Sequence, residues 1–344
     1  MIQVALCGMG YWGKNLFRVL SNNADLHLKA VVDQNPDTQA RLRAAHPGLQ
    51  VYGDLATALP EVDAVVIATP VSSHYPLAAQ AIAAGKHVLV EKPLCRTGDQ
   101  AADLVEQAEA AGVTLMVDHT FLFHPVVRVL NELMGTGTLG QISYYDSQRI
   151  NLGLFQPDVN VLWDLAPHDL SIIDHLFGSE PVEIEASGYC HVNPMVPDIG
   201  YLTLHYPNAM VAHLNLSWMS PVKVRRIAVG GSAKMVVWDD LNRDEPLKIY
   251  DSGISLQPQA KREQILPSYR IGSVLSPRLP AGEPLVDVVE HFRQVILGRT
   301  RSRMDGRQGL RIVRTLEWAQ AALDLSLRRV RSRTEPSLRA VAAE

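Results

Sequence analysis

Cysteine is scarce. Cys7, Cys95 and Cys190 are the three in 344 residues, and they lack metal or disulfide spacing, a usage that fits a reducing cytoplasm. An excess of one charge is also missing. The 32 Lys and Arg stand against 36 Asp and Glu, a formal net charge of −4 at pH 7, which offers no electrostatic footprint for nucleic acid. No apolar run approaches the roughly 20 residues that a membrane-spanning helix requires. A strand-like stretch begins at Ile2, so no signal peptide is expected, and no internal repeat or low-complexity segment occurs. His168, Asp169, Asp174 and His175 cluster in sequence, but no H-E-x-x-H spacing appears and no metal is expected. The tail from Arg328 is locally basic and reads as a solvated end, with an interaction tail as the alternative. What is present is a chain 47% hydrophobic and 20% charged, as in globular proteins, and too long for one ordinary core. Two domains are expected, over residues 1–120 and 121–344.

The first 33 residues carry the most information. Residues 2–7 are mostly apolar and suit a buried parallel strand, while Leu16, Phe17 and Leu20 share one helical face. Between them lies Gly8-Met9-Gly10-Tyr11-Trp12-Gly13, a G-x-G-x-x-G placed where a strand turns into a helix. Gly8 permits the tight turn, Gly10 the approach of a pyrophosphate, and Gly13 close packing of helix on strand. A second apolar run ends in Asp33, 20 residues beyond Gly13, where a carboxylate can bind the adenosine ribose hydroxyls. Gln34 follows in place of an arginine that would favour a 2′-phosphate, so NAD is expected over NADP.

Strand and helix signals then alternate to about Asp118, predicting a doubly wound parallel sheet. Ligands of such sheets bind beyond the carboxyl ends of the strands, where Gly8, Asp33, Thr69 and Lys92 fall. From about residue 121 the pattern becomes strand-rich: Ile142–Ile150, Val182–Tyr189, Tyr201–Tyr206, Met210–Trp218, Val224–Val229 and Ala233–Trp238. A mainly antiparallel α+β domain with a large open sheet is predicted, interrupted by a helix over Ala166–Phe177. Tyr250–Glu283 carries four prolines with little periodicity and reads as a long loop, and two amphipathic helices close the chain.

Four segments together resemble the Gfo/Idh/MocA family of nicotinamide-dependent oxidoreductases. They are the glycine fingerprint, Ala68-Thr69-Pro70 with His74, Gly85 through Glu91-Lys92-Pro93, and Trp163 through Asp164, Pro167, His168 and Asp169. The resemblance implies a Rossmann domain, a substrate domain on an open sheet, and hydride transfer to or from a carbinol. It places Gly8, Gly10, Tyr11, Trp12, Gly13, Asp33, Thr69, Pro70, His74, Glu91, Lys92 and His119 at the cofactor. It also implies a homodimer or homotetramer.

Oxidising an alcohol requires a proton acceptor, a group that stabilises the alkoxide, and a hydride acceptor. Lys92 suits the reacting oxygen and His168 the proton at neutral pH. Asp164 lies four residues before His168 and either caps the helix or takes the active-site position that the resemblance gives it. His119 and His175 are read as either site-lining or structural.

The runs Ser147–Gly153 and Asp158–Trp163 are similar to those of the nucleotide-sugar branch of that family. The branch places Arg149, Asn151, Asn160 and Trp163 with Lys92, Asp164 and His168 at the sugar; the alternative for Arg149 is a surface arginine. The expectation is oxidation of a UDP-linked hexose at its C3 hydroxyl. The alternatives are a polyol, inositol or free-sugar dehydrogenase, and a nicotinamide-binding redox regulator without turnover.

Overall fold

The computed structural model describes residues 1–153, 155, 159–255 and 268–341. These form two compact units, Met1–His124 with Gly282–Glu317, and Pro125–Ala281 with Trp318–Glu344. The expectation of two consecutive domains thus meets a chain that returns: residues 282–317 pack with the first unit.

The first unit alternates β1 (Ile2–Cys7), α1 (Tyr11–Ser21), β2 (Leu26–Val32), α2 (Pro36–Ala45), β3 (Gln50–Tyr52), α3 (Leu55–Ala58), β4 (Ala64–Ile67), α4 (His74–Ala83), β5 (His87–Glu91), α5 (Gly98–Ala111) and β6 (Leu115–Asp118). The sheet order is β3-β2-β1-β4-β5-β6, parallel throughout. Such strands are covered on both faces, which is why Val4 to Cys7, Ala64 to Ile67 and Val88 to Val90 are all buried without alternation. Local chemistry sets the helix starts. Asn35 accepts hydrogen bonds from the Asp37 and Thr38 N–H groups to cap α2, and Thr97 accepts from Gln100 N–H to cap α5. The order reverses between β1 and β4, the switch point at which open parallel sheets of this kind bind ligands beyond the strand carboxyl ends.

The second unit contains α6 (Pro125–Gly135), β7 (Ile142–Leu152), α7 (Val161–Phe177), β8 (Glu183–Tyr189), β9 (Ile199–His205), β10 (Val211–Ser217), β11 (Met219–Gly231), β12 (Met235–Asp239), β13 (Leu247–Tyr250), β14 (Gly253–Ser255), β15 (Ser268–Arg270) and β16 (Val274–Leu275). The main sheet runs β16-β13-β12-β11-β7-β10-β9-β8, antiparallel except for the β7–β10 pair. Alternate residues on its strands, among them Ile184, Leu202, Leu214, Tyr145 and Ile227, are buried, and α7 packs on β9 and β10. The chain closes with α8 (Pro284–Ile296) and α9 (Gly306–Val341).

Two expectations change here. Tyr250–Glu283 is not one long loop. It holds the β14–β15 ribbon and the edge strand β16; residues 256–267, with Pro258 and Pro267, lie outside the described residues. The helix expected from Ala166 starts five residues earlier, at Val161, because Asn160 is its cap.

Candidate active site

The first unit supplies a nucleotide cradle. Gly8 has φ +91°, in the left-handed region, and a Cβ there would stand 2.7 Å from the Ala68 carbonyl oxygen and 2.8 Å from Thr69 Cγ2. A Cβ on Gly13 would run into the Gly8 carbonyl. No atom lies within 4 Å of the Cβ position at Gly10, so the fingerprint is tight at its two ends and open in its middle. Gly10 caps α1 without a side-chain hydrogen bond, and the first turn of α1 carries no acidic residue. The N–H groups of that turn are therefore directed at the open middle, where a pyrophosphate fits them.

Asp33 is fixed beside the cradle. Its Oδ2 accepts the Met9 N–H at 2.8 Å and its Oδ1 the Asn35 N–H at 2.8 Å. Each oxygen keeps a further lone pair for a ribose hydroxyl. Tyr11 and Trp12 are exposed and meet edge to face, with ring centroids 6.0 Å apart.

Opposite, the turn after β4 is tied to the turn after β5. Thr69 Oγ1 accepts the Ser73 hydroxyl at 2.7 Å. The His74 ring, 1% exposed, places Nδ1 2.9 Å from the Pro93 carbonyl oxygen and Nε2 2.9 Å from that of Thr69. Expected at the cofactor, His74 bridges the turns after β4 and β5. Pro70 is exposed, Lys92 half-buried and His119 buried. Cys7 and Cys95 are buried, and burial pushes each thiol up to about 12, so neither supplies a thiolate at neutral pH.

In the second unit, α7 presents the other expected residues. Asn160 Oδ1 accepts the Leu162 and Trp163 N–H groups at 3.0 and 3.2 Å. The Gln320 side-chain oxygen accepts from both Asn160 Nδ2, at 2.8 Å, and Trp163 Nε1, at 3.2 Å. Both residues, expected at the sugar, are thus engaged in holding the start of α7. Asp164 does not cap the helix. Its Oδ2 accepts the indole N–H of the buried Trp218 at 3.1 Å. His168, one turn on, shares its face and is half-buried. Pro167 is the seventh residue of α7 rather than part of its first turn, and donates no N–H to the Trp163 carbonyl.

Arg149 departs furthest from expectation. It is 3% exposed and binds Asp169, itself 0% exposed, through Nε at 2.6 Å and Nη2 at 3.2 Å. Tyr145 OH donates to Asp169 Oδ1 at 2.8 Å. The arginine is neither a surface residue nor placed as a phosphate anchor; it joins β7 to α7. Asn151 is half-buried, with Nδ2 donating to the Leu152 carbonyl, and Asp158 lies outside the described residues. Among the described residues, no group of three or more His, Cys, Asp and Glu converges to hold a metal, and no helix is long and apolar enough to cross a membrane.

A parallel sheet with a glycine cradle, an acidic side chain beside it and a lysine at a strand end define an NAD-binding oxidoreductase. Residues 2–119 match the oxidoreductase family with an NAD-binding Rossmann fold, and residues 127–237 the GFO/IDH/MocA C-terminal domain. The chain belongs to the Gfo/Idh/MocA family. It is 28% identical to the UDP-N-acetylglucosamine 3-dehydrogenase of Acidithiobacillus ferrooxidans over 331 residues, 95% of this chain and 99% of that protein. A solved structure of that enzyme superposes with a TM-score of 0.80 at 26% identity, covering 95% of this chain and 99% of that one. The uncharacterized oxidoreductase YdgJ of Escherichia coli is 30% identical over 247 residues, 67% of this chain and 69% of YdgJ. Inositol 2-dehydrogenase of Rhizobium meliloti is 26% identical over 205 residues, 58% of this chain and 62% of its own.

Proposed function

We propose that the protein is an NAD-dependent dehydrogenase of a nucleotide-linked hexose, oxidising the sugar C3 hydroxyl to a ketone. One observation carries the reading: the similarity to UDP-N-acetylglucosamine 3-dehydrogenase runs end to end through both units. The similarity to inositol 2-dehydrogenase, by contrast, covers 58% of the chain.

The residues of the cradle suit NAD, which supplies the hydride acceptor when bound. Gly8, Gly10, Gly13 and the first turn of α1 would hold the pyrophosphate, and Asp33 the adenosine ribose. Lys92 donates a hydrogen bond to the reacting oxygen and stabilises the alkoxide. His168 takes the hydroxyl proton. Asp164 orients the substrate hydroxyl and is itself held by Trp218. Because Arg149 is committed to Asp169, recognition of the nucleotide falls to residues other than this arginine.

The test is a panel of UDP-sugars, dTDP-sugars, sugar phosphates, free hexoses and inositols, each assayed with NAD for NADH formation. A UDP-N-acetylhexosamine or its uronic acid is expected to give the highest kcat/KM. Removing the nucleotide should lower kcat as well as raise KM, since remote binding energy orients the reacting carbon. Turnover of inositol or free glucose matching the best nucleotide sugar would replace this reading with the polyol one. NAD binding without turnover of any carbinol would favour a redox regulator.

A further inference from the structure

Two carboxyl groups lie side by side at the strand ends that carry Lys92. Glu91 closes β5 and Asp118 closes β6, and the two are register partners in the parallel pair. Glu91 is 8% exposed and Asp118 2%. Their surroundings differ. Asp118 Oδ1 accepts the Thr120 hydroxyl at 2.7 Å, and Glu91 Oε2 accepts the Lys92 backbone N–H at 3.2 Å. Asp118 Oδ2 is buried with no N–H or hydroxyl donor, and the Glu91 carboxyl lies against the Asp118 side chain. A buried carboxylate oxygen against a second carboxylate would be costly; the same oxygen against a carboxylic acid receives a hydrogen bond.

We propose that Glu91 and Asp118 share one proton, Glu91 carrying it and Asp118 the charge, and that this pair is a positioning device for Lys92. The neutral Glu91 spans two neighbours. Its hydroxyl donates to Asp118, and its other oxygen accepts the Lys92 N–H, so the backbone that aims the lysine is tethered to β6. The pair then holds one negative charge, not two, beside the ammonium group. Burial first, then the Asp118 charge, push Glu91 well above the ordinary carboxyl value, and Lys92 offsets part of this. Burial also raises Asp118, opposed by the Thr120 hydrogen bond and by the bond from Glu91 itself. Lys92, which follows Glu91, is the charged group that acts on both carboxyls, and buried His119 follows Asp118 in the chain. His74 on α4 is engaged by the Thr69 and Pro93 carbonyls. The inference rests on the proposed dehydrogenase only for what Lys92 does, not for the state of the pair.

Infrared spectroscopy of the full-length protein and of the Glu91→Gln and Asp118→Asn variants tests the pair directly. The wild type should show a protonated-carboxyl C=O band at neutral pH that shifts in D2O. Glu91→Gln, nearly isosteric and still a donor to Asp118, should lose it. In Asp118→Asn the band should titrate at lower pH, because the neighbouring charge is gone. Folding stability gives a second readout. A carboxyl raised in the folded state binds more protons than in the unfolded chain between its ordinary value of 4.5 and its raised one. The Glu91 contribution therefore falls as pH climbs through that window, and Glu91→Gln should flatten the decline in Tm. For the substrate found by the panel, Asp118→Asn should lower kcat about 10- to 100-fold, by misplacing Lys92, with little change in KM for NAD. A wild-type spectrum without the band, or a Glu91→Gln spectrum that keeps it, overturns the pair. An Asp118→Asn variant with the band titrating as in wild type, or with wild-type kcat, overturns the role of Asp118. The spectra and melting curves need no substrate, so a failed sugar panel leaves this result standing and a failed pair leaves the panel standing.

Discussion

At the scale of single residues, Asp33 shows how one carboxylate can serve structure and selectivity together. Its two oxygens hold the Met9 and Asn35 N–H groups, which fixes the carboxylate beside the glycine loop, where the proposed reading seats the adenosine ribose. A 2′-phosphate there would meet a charge of its own sign, and exposed Gln34 offers no compensating cation. Asp33→Ala is expected to lower kcat/KM for NAD and to narrow the ratio between NAD and NADP; steady-state kinetics with both cofactors measures it. Lys92→Ala and His168→Ala should each lower kcat by roughly two to four orders of magnitude, as losing a charge-stabilising or acid–base group does, with NAD affinity little changed. Near-wild-type kcat in either variant would remove that residue from the proposed mechanism. Asp33 and the glycines were legible in the sequence because their roles depend on local geometry, a strand, a turn and a helix start within a few dozen residues. Glu91 was legible as the neighbour of Lys92 and through the resemblance, but not as the partner of Asp118. Their pairing depends on two strands laid side by side, and nothing in the spacing of residues 91 and 118 announces it.

Individual elements carry a different lesson, clearest in α7. The sequence predicted its end after Phe177, yet placed its start at Ala166. The earlier start depends on Asn160 acting as a cap, and on Pro167 being accommodated on the seventh residue, where a proline ordinarily argues for a helix start. Packing overrides that local signal: Val161, Leu162, Ala166, Ile172 and Ile173 are buried along the helix. The join between α7 and β7 is ionic. Arg149 and Asp169 are both buried, with Tyr145 OH completing the carboxylate's hydrogen bonds, and burial with the Asp169 charge pushes the Tyr145 phenol well above its ordinary value. Removing one member strands the other charge in the interior. Asp169→Ala is expected to destabilise the fold by about 3–5 kcal/mol, while the double replacement Arg149→Met with Asp169→Leu should recover most of the loss. Urea denaturation of the three proteins checks this. A single variant as stable as wild type would mean the pair contributes little. Arg149 was read from sequence as a sugar-facing or surface arginine because its partner lies 20 positions away on a helix, and only the packing of β7 against α7 reveals it.

For the whole molecule, the exposed apolar side chains bear on the expectation of a homo-oligomer. A large open sheet was expected in the second unit, and an apolar open face would invite association. The strand register instead places Glu185, Thr203, His213 and Asp146 in one row across β8, β9, β10 and β7, with Glu185, His213 and Asp146 exposed. That face is polar, varied by the exposed Tyr144, Tyr189 and Tyr201, and does not by itself demand cover. A cluster of exposed apolar side chains lies in the stretch first read as loop. On the β14–β15 ribbon and the residues after it, Ile254 is 59% exposed, Tyr269 78% and Ile271 92%. The edge strand β16 adds Val274 and Leu275, both exposed. An edge strand with outward apolar side chains is a template for another chain, and monomers rarely leave such a surface open. A second copy is the natural cover, since closed symmetric pairing would bury the same residues on both protomers. The protein is therefore expected to sediment and scatter light as a dimer or tetramer at micromolar concentration, not at the 37.9 kDa of a single chain. Ile271→Asp, a charge introduced at the most exposed large apolar side chain among the described residues, should shift that equilibrium toward smaller species without changing the far-ultraviolet circular dichroism. Wild-type protein that scatters as a monomer, or an Ile271→Asp variant with unchanged mass, would assign the ribbon some role other than self-association.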